Sequence, residues 1–144
     1  TNASLIILRL APNDYHRFHF PYAGIPNETC KIKGSYFSVS PYALAGNFTQ
    51  VFCENKREYT ILNTKDKGAV IIAPVGATMV GSIIETYTPQ QKISKGDEMG
   101  YFAFGGSTIV IIANKDTLTI DSDLIENTKN KIETSVKMGE KIAN

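Results

Sequence analysis

The chain has 144 residues, 42% of them hydrophobic, and its 15 Lys and Arg residues nearly balance its 14 Asp and Glu residues. This length and composition predict a single globular domain with one modest core. A net charge of +1 without a basic run argues against a nucleic-acid-binding protein. The apolar stretches of the chain, such as 5–8 and 109–113, are too short to span a bilayer.

The first 120 residues are typical of β structure, because short β-branched and aromatic runs recur between Gly, Pro, Asn and Asp. No helical period separates these runs, which favours an antiparallel or mixed, barrel-like sandwich over βαβ units. The predicted strands are 5–10, 36–40, 49–54, 59–63, 69–73, 78–87, 99–104, 108–113 and 117–120.

The C-terminal part has a different pattern. Between residues 123 and 142, apolar side chains recur at nearly helical spacing, and Asp123 and Glu126 have the separation of a capping box. We therefore expect one C-terminal amphipathic helix that packs on the sheet. The predicted fold class is mainly β, of the α+β type: a barrel-sandwich-like β core with one C-terminal amphipathic helix.

The two cysteines, Cys30 and Cys53, show neither a C-x-x-C motif nor a Cys/His metal spacing. This pattern favours two buried or half-buried free thiols in a reducing compartment, with a lone disulfide as the alternative.

Gly105-Gly106-Ser107-Thr108 lies between two apolar strands. Considered alone, the four residues are typical of a β-hairpin turn, in which Gly supplies a positive φ. They also permit chemistry, because a Gly before a Ser leaves the Gly carbonyl unshielded. The Ser107 hydroxyl could attack the carbonyl of Gly106 if a base took its proton.

Both histidines of the chain, His16 and His19, lie three residues apart among aromatic side chains. They could be ordinary core residues or half of a metal site, although no third His and no nearby Cys complete such a site. A weak site assisted by Asp14 is a further alternative. In the acid–base interpretation, each imidazole serves one of two proton transfers, since His titrates near working pH.

Several motifs together resemble the phosphatidylserine decarboxylase family. Residues 9–21 are similar to the family's R-L-A-P-x-D-Y-H-R-x-H-x-P signature. The resemblance continues, in family order, through 34–41, 55–58 and 75–83, and ends with Lys-Gly-Asp-Glu-Met-Gly-Tyr-Phe-Ala-Phe-Gly-Gly-Ser-Thr-Ile at 95–109. The combined match is specific, whereas Gly-Gly-Ser-Thr alone is not.

The resemblance implies a self-cleaving proenzyme. The Ser at the position of Ser107 attacks the carbonyl of Gly106, and elimination then leaves a covalent pyruvoyl cofactor at residue 107. The second signature histidine, His19, is then the base for cleavage, and the first, His16, moves a proton during decarboxylation. A Schiff base between the pyruvoyl carbonyl and the substrate amine makes the carbonyl an electron sink, and no metal is expected. Cleavage would divide a single catalytic domain into pieces 1–106 and 107–144.

The resemblance also implies features that lie outside this chain. The family's charge-relay Asp precedes the signature and is not found among residues 1–144, nor is a membrane-attaching segment. We therefore expect a C-terminal part of a larger proenzyme that works with the family's upstream N-terminal region. The expected protein is membrane-associated and intracellular, acts on phosphatidylserine and binds no nucleic acid.

Two other functions are compatible with the residues. The first is a family relative that decarboxylates a free aromatic amino acid with the same pyruvoyl group. The second is a non-catalytic β-sandwich carrier or interaction module, because the turns at 73–76 and 95–100 resemble hairpins of lipoyl and biotinyl domains. A carrier would need an exposed Lys at a hairpin tip between small or Met residues, and neither Met-Lys-Met nor Asp-Lys-Ala is present in the sequence.

Overall fold

A computed structural model describes residues 2–78, 82–103 and 107–144. Its elements follow in chain order as two sheets and two helices. The strands are β1 (Ala3–Leu10), β2 (Arg17–His19), β3 (Ile25–Pro26), β4 (Cys30–Ile32), β5 (Arg57–Asn63), β6 (Ala69–Val75), β7 (Ser82–Glu85), β8 (Glu98–Ala103) and β9 (Ser107–Asn114). Helix α1 (Pro41–Glu54) lies between β4 and β5, and helix α2 (Ser122–Lys129) follows β9.

The larger sheet has the strand order β1-β9-β6-β5-β3, with β4 also pairing with β5. Its strand pairs are antiparallel, and β9 is held on both sides, by β1 from Leu10↔Ser107 to Ala3↔Asn114 and by β6 from Val75↔Thr108 to Ile71↔Ile112. The run of Ile and Val in β9 suits this position, because β-branched side chains pack well on the pleated surface of a strand that has neighbours on both edges.

The smaller sheet has the order β2-β8-β7 and is also antiparallel. Alternate residues of the strands face a common core, as the strand period of two requires. The core cluster includes Phe18, Phe20, Leu62, Ile72, Met99, Phe102, Ile109 and Ile111. The prediction of a mainly β fold is confirmed, with two open sheets rather than a closed barrel.

A polar network joins the two sheets. The Thr29 hydroxyl lies 2.8 Å from that of Thr60 and 2.7 Å from that of Tyr87, and it donates to the Glu85 carboxylate. Tyr87 in turn donates to the carbonyl of Asn27 at 3.0 Å. Burial is the main cause that raises the pKa values of both Glu85 and Tyr87. The network therefore satisfies polar groups inside the β core rather than leaving them unpaired.

Helix α1 corrects two predicted strands, because residues 49–54 are helical and residues 36–40 form no strand. The helix begins where Ser40 accepts a hydrogen bond from the Ala43 N–H at 3.3 Å, and Pro41 occupies its first turn. The β-branched and aromatic side chains at 49–54 suggested a strand, but this N-terminal signal and the packing of Val51 into the core favour the helix.

Other strand predictions change in extent. The predicted strand 78–87 is a strand only over Ser82–Glu85, and 117–120 contributes one isolated bridge, between Ile120 and Ala143. The short strands β2, β3 and β4, of three, two and three residues, were not predicted. Residue 104, which ends the predicted strand 99–104, lies outside the described residues.

The C-terminal helix exists but is shorter than predicted. It covers Ser122–Lys129 instead of 123–142, and Lys131 adopts a positive φ of 60° just beyond its end. The N-cap residue is Asp121, so the predicted capping box at Asp123 is wrong. No side chain of α2 is buried, and so the helix does not form the packed layer that its apolar spacing suggested.

The cysteines are free thiols, as predicted, but both are exposed. The expectation that they are buried or half-buried is therefore wrong. Cys30 lies on the short strand β4, which pairs with β5 alone in the sheet, and Cys53 lies near the end of α1.

Candidate active site

Three chain connections pass between the two sheets at one end of the molecule, which we call the crossover end. They join β1 to β2 (residues 11–16), β6 to β7 (76–81) and β8 to β9 (104–106). In the larger sheet, β1 ends opposite the start of β9 (Leu10↔Ser107), and β6 ends beside it (Val75↔Thr108). In the smaller sheet, β8 ends opposite the start of β7. The strand ends that flank the three connections are therefore neighbours within each sheet.

The motifs at 9–21, 75–83 and 95–109 each supply one of these connections. They are far apart in the sequence, and sheet pairing is what brings their ends together. The crossover end is therefore the place where a site built from all three would form.

Ser107 is the first residue of β9 and has no exposed surface. Its side chain shares the core-facing side of β9 with Ile109 and Ile111, because alternate residues of a strand face the same way. Its Oγ is buried without a hydrogen-bond partner in the described part of the chain. Burying an unpaired hydroxyl costs stability, and a position that keeps one is therefore a candidate for a reacting group.

Gly106, the other half of the predicted cleavage site, lies outside the described residues. The described neighbours on either side are Ala103, which ends β8, and Ser107, which begins β9. The predicted cleavage point thus falls in the connection between the two sheets, immediately before the central strand.

His16 ends the first of the three connections. Its carbonyl accepts a hydrogen bond from the Phe102 N–H at 3.0 Å, near the end of β8. Its Nδ1 lies 2.7 Å from the Asp14 carbonyl oxygen. Because a carbonyl can only accept, Nδ1 must carry a hydrogen, which leaves the lone pair of the neutral ring on Nε2. Nε2 is buried and has no partner among residues 2–78, 82–103 and 107–144.

The turn that precedes His16 brings it back toward β1. The Asp14 N–H donates to the Ala11 carbonyl at 2.9 Å, and the Asp14 carboxylate accepts from the Ala11 N–H at 2.7 Å. Ala11 follows Leu10, whose partner across the ladder is Ser107. A compact series of contacts therefore links His16 to the start of β9.

His19 lies three residues farther on, in β2, opposite Glu98. Its Nδ1 is 2.8 Å from the Gly96 carbonyl, and so Nδ1 again carries the hydrogen. Its Nε2 lies 2.8 Å from the Tyr15 hydroxyl, and the two rings stack with centroids 5.8 Å apart. Both ring nitrogens of His19 are therefore occupied, whereas only one is in His16.

Glu98, which lies opposite His19 in the β2–β8 pair, does not orient the His19 ring. Both oxygens of Glu98 accept hydrogen bonds from Arg17, at 2.8 and 2.7 Å, and one also accepts from Thr86 at 3.0 Å. Arg17, followed by Thr86, holds the pKa of Glu98 below its ordinary value. In the described chain, a backbone carbonyl rather than a carboxylate sets the tautomer of His19.

The structure brings His16 to the same end of the sheets as Ser107, and His19 into the adjoining strand. No hydrogen bond joins Ser107 to either histidine within the described ranges. Of the predicted site residues, Ser107 and His16 thus lie at the crossover end, whereas His19 lies opposite the first residue of β8. Among the described residues there is no direct contact between the nucleophile and a base.

Asn55, which begins the motif 55–58, is a fully buried structural residue. Its side chain pairs with both backbone groups of Phe37 and donates to the Gly76 carbonyl, each at 2.8 Å. Gly76 follows the end of β6, beside the start of β9. Asn55 therefore fixes the segment before α1 to the crossover end.

Glu58, which ends the same motif, is 2% exposed. Lys31 Nζ lies 3.7 Å from its Oε2, which is an ion-pair distance but too long for a hydrogen bond.

Three residues were not identified from the sequence although they contact His19 or fix the crossover end: Tyr15, Gly96 and Asn55. Gly96 was expected only as part of a polar turn, and it does form one, with a φ of 89° and a hydrogen bond from the Asp97 N–H to the Ser94 carbonyl. Its contact with His19 joins residues 77 positions apart, and a single sequence carries no signal for such a contact.

Two features are absent from the described residues: a cluster of metal-binding side chains and a membrane-spanning helix. In residues 2–78, 82–103 and 107–144, no group of three or more His, Cys, Asp or Glu side chains is placed to hold a metal ion. No helix in those ranges has the length and hydropathy to cross a bilayer.

Comparison with known proteins gives a consistent result. A family model described as phosphatidylserine decarboxylase matches residues 1–144. A protein of Fusobacterium nucleatum, named phosphatidylserine decarboxylase proenzyme, is 52% identical over 143 residues, which cover 99% of this chain and 47% of that protein. A Clostridium novyi protein of the same name is 55% identical over 137 residues, covering 95% and 46%.

A Clostridium perfringens protein of this name is 52% identical over 139 residues, which cover 96% of the chain and 47% of that protein. The chain thus spans about half the length of the curated relatives it matches. Since the family model matches the whole chain and the motifs meet at one end of the fold, the chain belongs to the phosphatidylserine decarboxylase family.

Proposed function

We propose that the full-length protein decarboxylates phosphatidylserine to phosphatidylethanolamine and CO₂, with a pyruvoyl group made from Ser107. Family membership supports the reaction. The observation that supports the assignment to these residues is the pairing of the ends of β1 and β6 beside the start of β9, where the buried Ser107 hydroxyl has no partner among the described residues.

The first step of the proposal is self-cleavage between Gly106 and Ser107. Ser107 Oγ loses its proton to a base and bonds to the carbonyl carbon of Gly106, and the C–N bond to Ser107 breaks to give an ester. A base then removes the Cα proton of residue 107 and the Cβ–Oγ bond breaks, so that residue 106 leaves as a carboxylate and residue 107 becomes dehydroalanine. Water replaces the nitrogen of residue 107, ammonia departs, and a pyruvoyl group remains.

The base that we propose for cleavage is His19, as the family resemblance implies. Its Nε2 carries the lone pair, because Nδ1–H is committed to Gly96. The Tyr15 hydroxyl occupies that lone pair in the uncut chain. His19 must therefore exchange Tyr15 for the Ser107 hydroxyl before it can act, and the upstream Asp predicted from the resemblance would assist that step.

The surroundings of Ser107 fit the group that would replace it. Among the described residues Ser107 Oγ makes no hydrogen bond that conversion would break, and β9 holds the residue at the start of a central strand. When present, a pyruvoyl carbonyl captures the substrate amine and withdraws electrons as CO₂ leaves.

His16 is the residue that we propose for proton transfer during decarboxylation. Its Nδ1–H is fixed by Asp14, so any proton that it exchanges travels through Nε2. That atom is buried and has no partner among the described residues, and it can therefore accept or deliver a proton without first breaking a hydrogen bond.

Cleavage would leave two pieces of one folded domain, 1–106 and the piece that starts at residue 107. We propose that they stay together because β9 pairs with β1 on one side and β6 on the other. The ladders and the core side chains of β9 do not depend on the bond between residues 106 and 107.

The remaining parts of the proposal concern partners and location. A phospholipid substrate requires the protein to work at a membrane, and we propose that the upstream part of the full-length protein contributes to that association. Neither alternative gains support over this function, because the relatives are named as decarboxylase proenzymes rather than as amino acid decarboxylases or carrier domains.

CO₂ release from the full-length protein tests the function. We expect release from vesicles that contain phosphatidylserine and none from free tyrosine or phenylalanine. Cyanoborohydride added with the substrate should trap an adduct on residue 107. Release from the free amino acids alone, or restoration of lost activity by added pyridoxal phosphate, would contradict the proposal.

A further inference from the structure

Residues 34–53 contain no Asp, Glu, Lys, Arg or His, although 20% of the whole chain is charged. We call these residues the uncharged segment. It includes all but the last residue of helix α1 and the residues that lead into that helix. A stretch of this length without charge is ordinary inside a core but unusual on a surface.

Most of the uncharged segment lies on the surface. Tyr42 is 94% exposed, Phe48 is 48% exposed, and Tyr36 and Phe37 are 46% and 40% exposed. Within the segment only Val39 and Val51 are buried. Large exposed aromatic side chains on a segment without charged residues are typical of a site that contacts a membrane or another molecule.

The uncharged segment is fixed to the crossover end. Asn55 holds both backbone groups of Phe37 and the carbonyl of Gly76, and the Thr78 hydroxyl donates to the Tyr36 carbonyl at 2.7 Å. The Tyr36 ring lies 3.8 Å from the position that a Cβ on residue 76 would occupy. Whatever covers the segment is thus held close to the start of β9.

The charges on either side of the segment indicate what covers it. Lys33 directly precedes it, and Lys56 and Arg57 follow it, against Glu54; farther out, Lys31 lies at ion-pair distance from the buried Glu58. The side chain of Lys31 is 69% exposed. An anionic lipid surface attracts such cations, whereas a second copy of the chain would bring like charges together.

We propose that the uncharged segment seats on the surface of an anionic phospholipid bilayer, with Tyr42 and Phe48 in the headgroup region. Tyr is suited to this level, because its ring is apolar and its hydroxyl is polar. This contact would hold the crossover end against the lipid. The proposal rests on the proposed function in one respect, namely that the bilayer also contains the substrate.

The direct test is position-specific quenching in the full-length protein. Tyr42→Trp places a fluorophore on the segment, and Ile132→Trp places a control at an exposed apolar position of the tail (56% exposed). The vesicles contain phosphatidylcholine and phosphatidylglycerol, with and without bromine on the acyl chains. We expect a blue shift and quenching for the indole at position 42 and neither for the one at 132. Equal emission on both vesicle types at position 42, or equal quenching at both positions, overturns the proposal.

A second measurement separates the surface from the chemistry. Tyr42→Ser with Phe48→Ser should weaken vesicle binding roughly tenfold or more, since each removes an aromatic ring from the interface. Decarboxylation of a short-chain phosphatidylserine dispersed in water should be unchanged, and Ile132→Ser should alter neither. A lower melting temperature of the lipid-free Tyr42→Ser protein, or a change in its oligomeric state, would show that protein covers the segment and would overturn the proposal.

The two proposals can fail separately, because the quenching measurement does not require an active enzyme. If the unsubstituted protein released no CO₂ from the dispersed lipid, the proposed function would be refuted while the quenching result still tested the membrane surface.

Discussion

Strand β9 and the tail after residue 120 lie close together in the chain but differ sharply in the burial of their side chains. Strand β9 lies in the larger sheet between β1 and β6, and five of its eight side chains are buried, whereas no side chain of α2 is buried. The tail is fixed at a few points, among them the ion pair of Glu133 with Arg9 and the bridge between Ile120 and Ala143. The chemistry that we assign belongs to the buried region, and so substitutions there should abolish function, while those in the tail should adjust stability slightly.

The largest expected effect is that of Ser107→Ala at the start of β9. Without the hydroxyl there is no nucleophile, and we expect neither chain cleavage nor CO₂ release from the full-length protein. A denaturing gel and a CO₂ assay measure the two outcomes.

Ser4→Ala is the matched control. Ser4 lies at the other end of the β1–β9 ladder, where it pairs with Ala113. We expect normal cleavage and turnover in this variant. A cleaved, active Ser107→Ala protein would place the nucleophile elsewhere.

The two histidines should separate the two stages of the chemistry. His19→Ala should block cleavage, because the Ser107 hydroxyl is a poor nucleophile without a base. His16→Ala should cleave but lose about 10²–10⁴-fold in decarboxylation, the usual contribution of a positioned proton donor. Cleavage gels and CO₂ release on both variants measure this difference.

The two rings differ in their hydrogen bonds. His19 Nε2 is hydrogen-bonded to the Tyr15 hydroxyl, whereas His16 Nε2 has no partner among the described residues, so the two variants should behave differently. If His19→Ala cleaved at the normal rate, or His16→Ala cleaved and turned over normally, the two roles would be wrongly assigned. If both variants only lost stability, the histidines would be packing residues.

A pair of isoleucines compares the two regions in stability. Ile111 in β9 is 8% exposed, and Ile132 in the tail is 56% exposed. We expect Ile111→Ala to lower the free energy of unfolding by about 2–5 kcal/mol, because it removes buried methyl groups and leaves a cavity. Ile132→Ala should change it by at most about 0.5 kcal/mol. Denaturant titration of both variants measures the difference, and equal losses would contradict the distinction between β9 and the tail.

The ion pair that holds the tail should also contribute little to stability. Arg9 donates to both carboxylate oxygens of Glu133, at 2.8 and 2.6 Å, and chiefly through these hydrogen bonds it lowers the pKa of Glu133 from its ordinary 4.5. The carboxylate side chain is 57% exposed, so we expect Glu133→Gln to cost at most about 1 kcal/mol.

The pH dependence of that difference has a definite sign. A lowered folded-state pKa means that the stabilisation is complete above the ordinary value of 4.5 and is lost as pH falls through the folded-state pKa of Glu133. Unfolding measured for both proteins from neutral to acid pH should show the difference between them disappearing at low pH. A difference that grew with acidity would contradict this origin.

Much of the fold followed from local pattern. The long strands β1, β5, β6 and β9 were predicted because their apolar and β-branched runs have the period and length of buried strands. The strands β2 to β4 are too short to produce such a pattern. Helix α1 was mistaken in part for a strand, because the aromatic and β-branched residues at 49–54 outweighed the N-terminal signal of Ser40 and Pro41.

The candidate site was predictable to a different degree. Motif resemblance pointed to Ser107, His16 and His19, and the strand registers explain why their segments meet. The contacts that distinguish the histidines, from Tyr15 and Gly96, depend on turn geometry and on a pairing between distant residues. Residue type and spacing do not encode such contacts in one sequence.

The central claim is that Ser107 becomes the N-terminus of a separate piece, and the intact mass of the purified full-length protein tests it most directly. We predict two masses whose boundary falls between Gly106 and Ser107, with a pyruvoyl-blocked residue 107 that resists Edman degradation. A single uncut mass after prolonged incubation, or a cut piece that begins with an unmodified serine, would contradict the account.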